Sequence, residues 1–512
     1  MPHKLILFLL LAFPAAVFAQ RHTAADSLYV YGQTANSLSF AQMSGTLLQS
    51  SEIQKASKVG LIYQHAAGSF RLGQEAQHTG SGKFYTEGIS TIKRFKLFGF
   101  FGFERINDDS LAFNMKGIKE SPQPTYFMAG KAGNYQRQRF TGGGIISYAL
   151  AKEKLFLSTG VDYLYNSTAG SVDPRALVYT FKLKFSPELS YRIANTTVGI
   201  GGLLGYGDED IKQIRYKNSN YDGSLTYPLR ISYLNYGYGY YQSSVSPFVR
   251  ANVFTGLNLS FSKHGDILDW KARVAYEINE EKNSYDLTNG IQNKEISSFQ
   301  LESLGMNLLV TKKSFGLIHQ LKINMLRENG DDRLVAQAAR NYTYKNYSGG
   351  LSYSILNTAH SKSQGEWNAG VAYRYGYIRD AASSHLLEYT TYEPQIGHSQ
   401  YWRNAKQDLI SAGLSFSARL PANTNVSVPI TQVTLFSQGV VFPDYLYWST
   451  KAFKTNLKLN YVSERIINKF RTGLGLETSF LKPLNTLTNT NNATFIPENG
   501  FFDVKVSLNL YL

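Results

Sequence analysis

The sequence predicts an all-β protein, a transmembrane antiparallel β-barrel of the outer-membrane type. Three observations predict it: the pattern of the last strand, the length of the other alternating segments, and an alternation of short and long connections. Successive side chains of a strand point to opposite faces, so alternation of apolar and polar residues gives a sheet two different faces. A sheet that closes on itself with its apolar face outward is the structure that β-strands form in a bilayer.

The last segment of the chain, residues 502–512, has one wholly apolar face backed by a polar one. Its length matches the roughly 9–11 tilted residues that a strand needs to cross a bilayer. Outer-membrane barrels end in a closing strand of this kind, usually with a terminal aromatic residue, whereas here Tyr511 is penultimate. We interpret the apolar face as an assembly signal for the barrel-assembly machinery. Its residues are Phe502, Val504, Val506, Leu508, Leu510 and Leu512.

Similar alternation recurs from about residue 58 onward. The segments are about twice as long as the 5–6 residues typical of strands in soluble sheets. Aromatic residues begin and end some apolar faces, for example Phe453 and Tyr461, as the girdles of a membrane barrel require. The clearest segments are Tyr179–Arg192, Val249–Phe261, Trp270–Ile278, Leu317–Met325, Ala369–Tyr377, Ile410–Leu420, Phe453–Tyr461 and Phe470–Phe480.

The connections between these segments fall into two alternating classes. Short ones are predicted near 195–196, 263–265, 312–314, 421–423 and 464–465. Long ones are predicted at 107–135, 207–246, 279–295, 327–344, 379–404 and 482–499. Short periplasmic turns and long extracellular loops are typical of these barrels. We therefore expect residues 56–512 to form a barrel of about 18 strands, within a range of roughly 16–20.

The N-terminus predicts export from the cytoplasm. Lys4 precedes an apolar run from Leu5 to Val17, and Val17-Phe18-Ala19 has the pattern of a cleavage site. We interpret residues 1–19 as a cleaved signal peptide. Residues 20–55 are polar and weakly patterned, with a short helix predicted near Ser37–Gly45. They form either an N-terminal periplasmic segment or a plug in the barrel lumen.

Composition supports this location. The chain contains 36 Tyr and 31 Phe, and amphipathic aromatic rings are the residues that membrane–water interfaces collect. The mean hydropathy of −0.25 is too polar for a helical membrane protein, but it suits a barrel with a polar lumen. Cysteine is absent, which excludes disulfides and thiolate metal sites. An exported chain does not meet nucleic acid, so we expect the partners to be outer-membrane lipid and lipopolysaccharide.

The polar faces of the strands carry more bases than acids. Five acids were assigned to these faces, namely Asp162, Glu188, Glu277, Glu477 and Asp503, against thirteen bases, an excess of +8. A channel lined by one sign of charge attracts the opposite sign, so an anion preference is predicted; the alternative is that Arg–Glu ladders cancel the charge. The candidate lumen cations are Lys182, Lys184, Arg192, Arg250, Lys271, Arg273, Lys322, Arg374, Arg419, Lys454, Lys458, Arg471 and Lys505.

We expect no enzymatic activity, cofactor or metal. His385 and His398 fall in one predicted surface loop, but no nucleophile is spaced to meet either of them. No histidine pair has metal-ligand spacing with an acidic third ligand. The glycine-rich run 199–207 lacks the spacing and the following helix of a dinucleotide-binding loop.

The alternating barrel, the long loop containing Pro122, and Asp173-Pro174-Arg175 after an early strand together resemble an uncharacterised outer-membrane β-barrel family of Bacteroidota-type bacteria. The resemblance covers nearly the whole mature chain and implies a fold and a location, without an activity or a site. We therefore expect an outer-membrane channel or transporter for a small solute. The alternative is a non-conducting barrel that binds or assembles partners through its long loops. An open lumen favours the first, and a lumen filled by the N-terminal segment and by residues such as Phe254 favours the second.

Overall fold

The structure, a computed structural model, describes residues 25–151, 154–212, 214–243, 246–285, 294–360, 362–468, 470–485, 488–489 and 492–512. The predicted signal peptide, residues 1–19, lies outside the described residues. No helix in the described part of the chain is both long enough and apolar enough to cross a membrane.

Eighteen antiparallel strands form one closed sheet, which confirms the predicted fold class and strand number. Each barrel strand pairs with the next one along the chain, and β21 pairs back with β1 from Lys58↔Tyr511 to Gly68↔Phe501. The barrel strands are β1 Lys55–Gly68, β2 His78–Ile92, β3 Phe95–Leu111, β5 Gly133–Ala149, β6 Leu155–Gly170, β7 Leu177–Ile193, β8 Thr196–Ile211, β11 Phe248–Lys263, β12 Leu268–Tyr285, β13 Glu295–Ser314, β14 Leu317–Leu334, β15 Tyr342–Asn357, β16 Ser363–Asp380, β17 His385–Arg403, β18 Leu409–Ser427, β19 Ala452–Ile467, β20 Phe470–Pro483 and β21 Phe501–Tyr511.

The remaining elements lie at the two ends of the barrel. A small sheet joins β4 Thr125–Met128, β9 Tyr233–Tyr236 and β10 Tyr241–Ser243. The α-helices are α1 Ala25–Val30, α2 Gly32–Ala41, α3 Gly45–Gln49 and α4 Phe442–Ser449. A π-helix, Ser437–Val441, runs directly into α4, and short 3₁₀ turns occur at Ser219–Tyr221, Pro228–Arg230, Val335–Gln337 and Ile430–Gln432.

The outer face of the barrel is apolar and the inner face polar. On β11, Val253, Leu257 and Leu259 are more than half exposed, whereas Arg250 and Ser260 are buried. The same alternation puts the apolar face of β21 outside, where Phe502 and Val506 are exposed. An exposed apolar belt around a closed sheet is stable only in apolar surroundings, because in water it would bury nothing. This is the architecture of a transmembrane β-barrel.

The connections differ at the two ends. The connections at the end that also holds the C-terminus, here called the turn end, have two to five residues, for example 93–94, 194–195, 315–316 and 404–408. Longer connections, including 112–132, 212–247 and 428–451, lie at the opposite, loop end. The predicted asymmetry between short turns and long loops is therefore present.

Two of the predicted connections are wrong. Residues 379–404, predicted to be a long loop, form mostly β17, and residues 421–423, predicted to be a turn, lie inside β18. The alternation of β17 is broken by Pro394 and by a bulge at Thr390/Thr391, which hid the strand. The long loops predicted at 279–295 and 327–344 are shorter than expected, because β12, β14 and β15 continue past the apolar belt.

A charged side chain introduced on the outer face should disrupt the barrel. Leu457 and Leu474 face outward and are 36% and 45% exposed. Leu457→Arg or Leu474→Arg should destabilise the barrel by roughly 2–4 kcal/mol at the bilayer midplane, because the guanidinium must enter hydrocarbon. Heat-modifiable gel mobility would measure assembly. Asn456→Arg is the matched control, because Asn456 faces the lumen and bonds Ser415 at 3.3 Å; equal folding of all three variants would contradict the assigned face.

Candidate functional site

The N-terminal segment, residues 25–54, lies inside the barrel at the turn end and is called the plug here. Its third helix, α3, lies against the inner faces of β5 to β8 and β11. Ser44 caps this helix by accepting a hydrogen bond from the Leu47 amide, and its hydroxyl lies 2.8 Å from that of Ser260. The backbone amides of Gly45 and Thr46 donate to the Glu188 carboxylate at 3.2 and 2.9 Å. The buried Glu188 carboxylate thus accepts hydrogen bonds from the first two backbone amides of α3.

The beginning of the plug is held on the opposite wall. Asp26 is 1% exposed and accepts hydrogen bonds from Arg471 at 2.7 Å and from Arg403 at 3.4 Å. The ring of Tyr31 stacks on Tyr401, with 4.1 Å between the ring centroids. Tyr29 also lies 5.7 Å from Tyr511, and Val30 and Tyr31 belong to an apolar cluster with Leu409 and Val462, so both polar and apolar contacts hold this end of the plug. The plug is therefore attached to two opposite sides of the wall.

The plug does not fill the turn end completely. A cavity of about 490 Å³ remains between the plug and the wall formed by β12 to β15. Leu28 and Gln33 of the plug line it from one side, and Lys271 and Ile318 line it from the wall. The plug also contacts this wall beside the cavity, where Gln33 donates to the carbonyls of Ile318 and Ser354 and Phe40 packs with Leu309.

Three long connections close the loop end and form what is called here the cap: residues 112–132, 214–243 and 428–451. They share an apolar core with the upper barrel wall, in which Phe113, Tyr238, Phe436 and Trp448 are buried. Asp380 of β16 is 0% exposed and accepts from the amides of Tyr238 and Tyr240, each at 2.8 Å. The cap is therefore an ordered structure attached to the wall.

Two buried ionisable groups in the cap have pKa values shifted in the direction that favours their uncharged forms. Burial raises the pKa of the Asp444 carboxyl in α4 to about 7, and the nearby Glu75 adds to this effect. Asp444 accepts hydrogen bonds from the Gly73 amide at 2.8 Å and from the Tyr238 hydroxyl at 3.2 Å. Burial also lowers the pKa of the Lys116 ammonium to about 7, helped by the positive charge of Arg250. Both shifts arise because a charged group loses water on burial.

The structure places all thirteen candidate cations on the inner face of the barrel. One group has acidic partners: Lys184 meets Glu277 at 2.5 Å, Arg250 contacts Glu209 and Glu281, Arg471 contacts Asp26, and Lys505 lies 3.8 Å from Glu477. A second group lies over aromatic rings, with Lys182 over Phe254 and Arg192 over Phe156. Lys271 lines the cavity beside the plug, and Arg273 is half-buried close to Asp162 and Glu188.

The sequence analysis missed several inner-face acids. Glu87, Glu209, Glu281, Glu366 and Glu393 all face the lumen in the structure. Three of them, Glu209, Glu281 and Glu393, fall in stretches that the sequence analysis treated as loops. Extending the alternation to the true strand ends would have found them. Bases such as Lys58, Lys96 and Arg137 also face inward and were not among the thirteen candidates, so the +8 excess is not the net charge of the inner face.

Five inner-face cations without an acidic partner in the described chain lie on one part of the wall, β14 to β19. Lys322 donates to the side-chain oxygen of Asn36 in the plug at 3.1 Å. Among the described residues, none of Lys322, Arg374, Arg419, Lys454 and Lys458 forms an ion pair with a carboxylate. The β7–β12 wall holds the buried Arg250 pairs and the Lys184–Glu277 pair beside Lys182 and Lys271, which form no ion pair among the described residues. Within the described ranges, none of the five cations on the β14–β19 wall has an acidic partner, and Arg419 among them is buried.

A cavity of about 450 Å³ lies against this cationic wall, directly beneath α4. Tyr447 and Trp448 of α4 form its roof, while Lys322, Arg374 and Arg419 line its sides. Helix α4 of the cap covers it, and Lys322 links its lining to Asn36 of the plug. It is called here the central compartment.

The histidines and acids of the described chain do not form a metal site. In the ranges that the structure describes, no group of three or more His, Asp or Glu residues is arranged to hold a metal ion. His385 is fully buried beside the backbone carbonyls of Tyr238 and Gln432, at 2.9 and 3.1 Å. This histidine therefore has a structural role in joining the cap to β17.

Together, the fold and the lumen define a membrane-spanning β-barrel whose N-terminal segment is folded inside it. The chain belongs to a family of unknown function, DUF6850, whose model matches residues 45–512. No curated protein matches the chain in sequence.

Several solved structures have a similar barrel. The FrpB iron transporter from Neisseria meningitidis in its apoprotein form is 8% identical, with a TM-score of 0.37, 89% of this chain and 81% of that chain covered. FpvA of P. aeruginosa bound to heterologous pyoverdines is 10% identical, with a TM-score of 0.40 and coverage of 90% and 72%. The outer-membrane transporter YddB from Escherichia coli is 8% identical, with a TM-score of 0.36 and coverage of 89% and 81%. Similarities at this level do not indicate a shared function.

Proposed function

We propose that the protein is an outer-membrane transporter in which a solute passes two closures in turn, the cap and the plug. The observation that carries this proposal is the central compartment, which lies between two separately built closures. A solute held there lies against the cap helix α4 and beside Lys322, which bonds the plug. Transport then requires the cap and the plug to move at different times.

Part of the plug is held to the wall by polar contacts that can be exchanged for water, which allows the plug to move. Asp26 and Glu188 hold the plug through hydrogen bonds and charge, and these bonds can be replaced by water in the lumen. The cavity of about 490 Å³ on the β12–β15 side leaves room for displacement. Apolar side chains of the plug such as Phe40 and Leu47 are buried against the wall, and displacement must break these contacts as well.

The proposed orientation follows from the ends of the barrel. The turn end would face the periplasm, and the loop end with its cap would face the outside, embedded among outer-membrane lipid and lipopolysaccharide. The predicted signal peptide, 1–19, and the apolar face of β21 support export and insertion by the barrel-assembly machinery. Fractionation on a density gradient would test the location.

Electrical recording tests the two-closure arrangement. In planar bilayers the full mature chain should carry little current, and a variant lacking residues 25–49 should carry several-fold more. The current through the variant without the plug should be carried mainly by anions. Adding Lys454→Glu and Lys458→Glu to this variant should shift its reversal potential toward cation selectivity. Screening over about 8 Å at physiological salt limits this preference where the path is wide.

A reversible disulfide between the plug and the barrel wall supplies the matched control. The chain has no cysteine, and the hydroxyl oxygens of Ser44 and Ser260 lie 2.8 Å apart, so Ser44→Cys with Ser260→Cys should form a disulfide between plug and wall. Oxidation should suppress the spontaneous openings of the full chain, and reduction should restore them, whereas Ser44→Cys alone should not respond. A folded variant without the plug that carries no more current than the full chain would contradict the proposal.

The second candidate function is a non-conducting barrel that binds partners at the loop end. The observation that favours it is the ordered cap, with buried residues such as Phe436 and Val440 at 0% exposure. A rigid cap presents a fixed surface to the outside. The recordings distinguish the two functions, because a binding barrel should not conduct after the plug is removed.

A further inference from the structure

We propose that the central compartment binds a small solute that carries an oxyanion, such as a carboxylate or phosphate, on a hydroxyl-rich body. This inference rests on the proposed transport function and names the substrate class for it. Three features of the compartment carry it: two guanidinium groups gathered at one indole ring, an excess of hydrogen-bond donors, and links from the compartment to both closures.

Among the described residues, no carboxylate forms an ion pair with either guanidinium group, although Glu393 of the intervening strand β17 lines the same compartment. The guanidinium carbons of Arg374 and Arg419 lie 5.5 and 5.4 Å from the ring centroid of Trp448. Tyr389 stacks on the same indole at 4.0 Å and holds its position. Two like charges attracted to one ring repel each other, and an oxyanion beside them relieves that repulsion. A planar guanidinium matches a carboxylate or phosphate through two parallel hydrogen bonds.

The donors of the compartment exceed its acceptors. In the part of the chain that the structure describes, no acceptor bonds the Arg374 guanidinium, and Arg419 bonds only the hydroxyl and carbonyl of Tyr447, at 2.8 and 3.4 Å. Glu393 is the acidic side chain in the lining, and it accepts from the Ser417 hydroxyl at 2.7 Å. Each guanidinium carries five N–H donors, and Glu393 supplies the one carboxylate in the lining, so the balance of charge favours an anionic occupant.

The rest of the lining suits a hydroxyl-rich body. Asn324, Ser352, Thr391 and Gln395 supply amide and hydroxyl groups that both donate and accept. A volume of about 450 Å³ lies within the roughly 300–1,000 Å³ typical of small-molecule sites. An acidic sugar meets all of these conditions: it has one oxyanion, several hydroxyls and a compact ring.

The compartment also contacts both closures. Lys322 lines it and bonds Asn36 of the plug, and Arg419 lines it and bonds Tyr447 of the cap helix α4. A bound oxyanion competes for both cations, because charge-assisted bonds are stronger than bonds to neutral oxygens. Occupancy of the compartment would thus weaken the hold on plug and cap together.

Titration calorimetry on the refolded full chain in detergent tests the site with three probes: D-glucuronate, D-glucose and inorganic phosphate. Glucuronate should bind, glucose should bind much more weakly because it lacks the charge, and phosphate should compete with glucuronate. Arg374→Gln and Arg419→Gln should each weaken glucuronate binding by about tenfold or more, the value of a hydrogen bond between charged groups. Lys83→Gln, an inner-face substitution outside the compartment, is the matched control.

Two further measurements separate loss of the binding site from misfolding of the variants. Glu393→Gln removes the negative charge of the compartment and should tighten glucuronate binding, a change that misfolding cannot produce. Of the four tryptophans, Trp270, Trp367 and Trp402 are exposed on the outer face, so a fluorescence change on binding should disappear in Trp448→Phe. Equal binding of glucose and glucuronate, or no effect of either arginine variant, would overturn the site, even if the variant without the plug conducts. Failure of that variant to conduct, with glucuronate bound as expected, would instead overturn the transport function.

Discussion

Deletion of residues 501–512 should abolish assembly of the barrel. β21 pairs along eleven residues with β1 and along eleven with β20, so its loss leaves two unpaired edges. In a bilayer each unsatisfied backbone group costs several kcal/mol, and water is not there to replace the lost partners. The truncated chain should therefore accumulate as periplasmic aggregates or be degraded.

Cell fractionation with immunoblotting measures this outcome. Lys505→Gln is the control, because it keeps β21 and removes only one exposed ion pair, 3.8 Å from Glu477. That variant should reach the outer membrane at normal abundance. Finding the truncated chain there in the same amount would refute the role of β21 as the closing strand.

Arg250→Ala should have the largest effect on stability among the lumen substitutions. The Arg250 side chain is about 1% exposed, bonds Glu209 and Glu281, and also donates to the carbonyl of Thr125 in the cap. Removing it leaves two buried carboxylates without their cation, which typically costs about 3–5 kcal/mol. Chemical unfolding of the refolded barrel, followed by intrinsic fluorescence, would measure the loss.

Two comparisons make this result specific. Arg374→Ala should change the free energy of unfolding by only about 0.5 kcal/mol, since Arg374 is exposed in the lumen and has no acidic partner. Adding Glu281→Gln to Arg250→Ala should recover part of the loss, because one stranded charge is then removed. If Arg250→Ala and Arg374→Ala lower the free energy of unfolding by the same amount, the buried ion pairs of Arg250 make no measurable contribution to stability.

The fold was largely predictable because its signal is local. Alternation has a period of two residues, which follows from backbone geometry, so strands such as β11 and β21 could be recognised without their neighbours. β17 shows the limit of this signal, since Pro394 and the bulge at Thr390/Thr391 break the period. The helix α4 was not predicted, because its eight residues follow a π-helix inside a connection and carry little pattern of their own.

The candidate site was predictable only as a set of side chains. Alternation alone placed Arg374 and Arg419 on the inner face, because the face of a strand residue depends on its position in that strand. It did not reveal which cations have partners: Lys184 and Glu277 are 93 residues apart in the sequence. It also did not bring Trp448 to Arg374, since that contact requires the connection 428–451 to fold back into the barrel.

By itself, then, the sequence determined the class of fold, the face of each regular strand and the presence of a polar lumen, all through the two-residue period of extended backbone. The tertiary structure alone decided that the plug occupies the turn end, that the cap covers the loop end, and that unpaired cations meet at one compartment. These features depend on contacts between segments far apart in the chain. Their energies come from burial and charge pairing in three dimensions, which no local pattern of residues records.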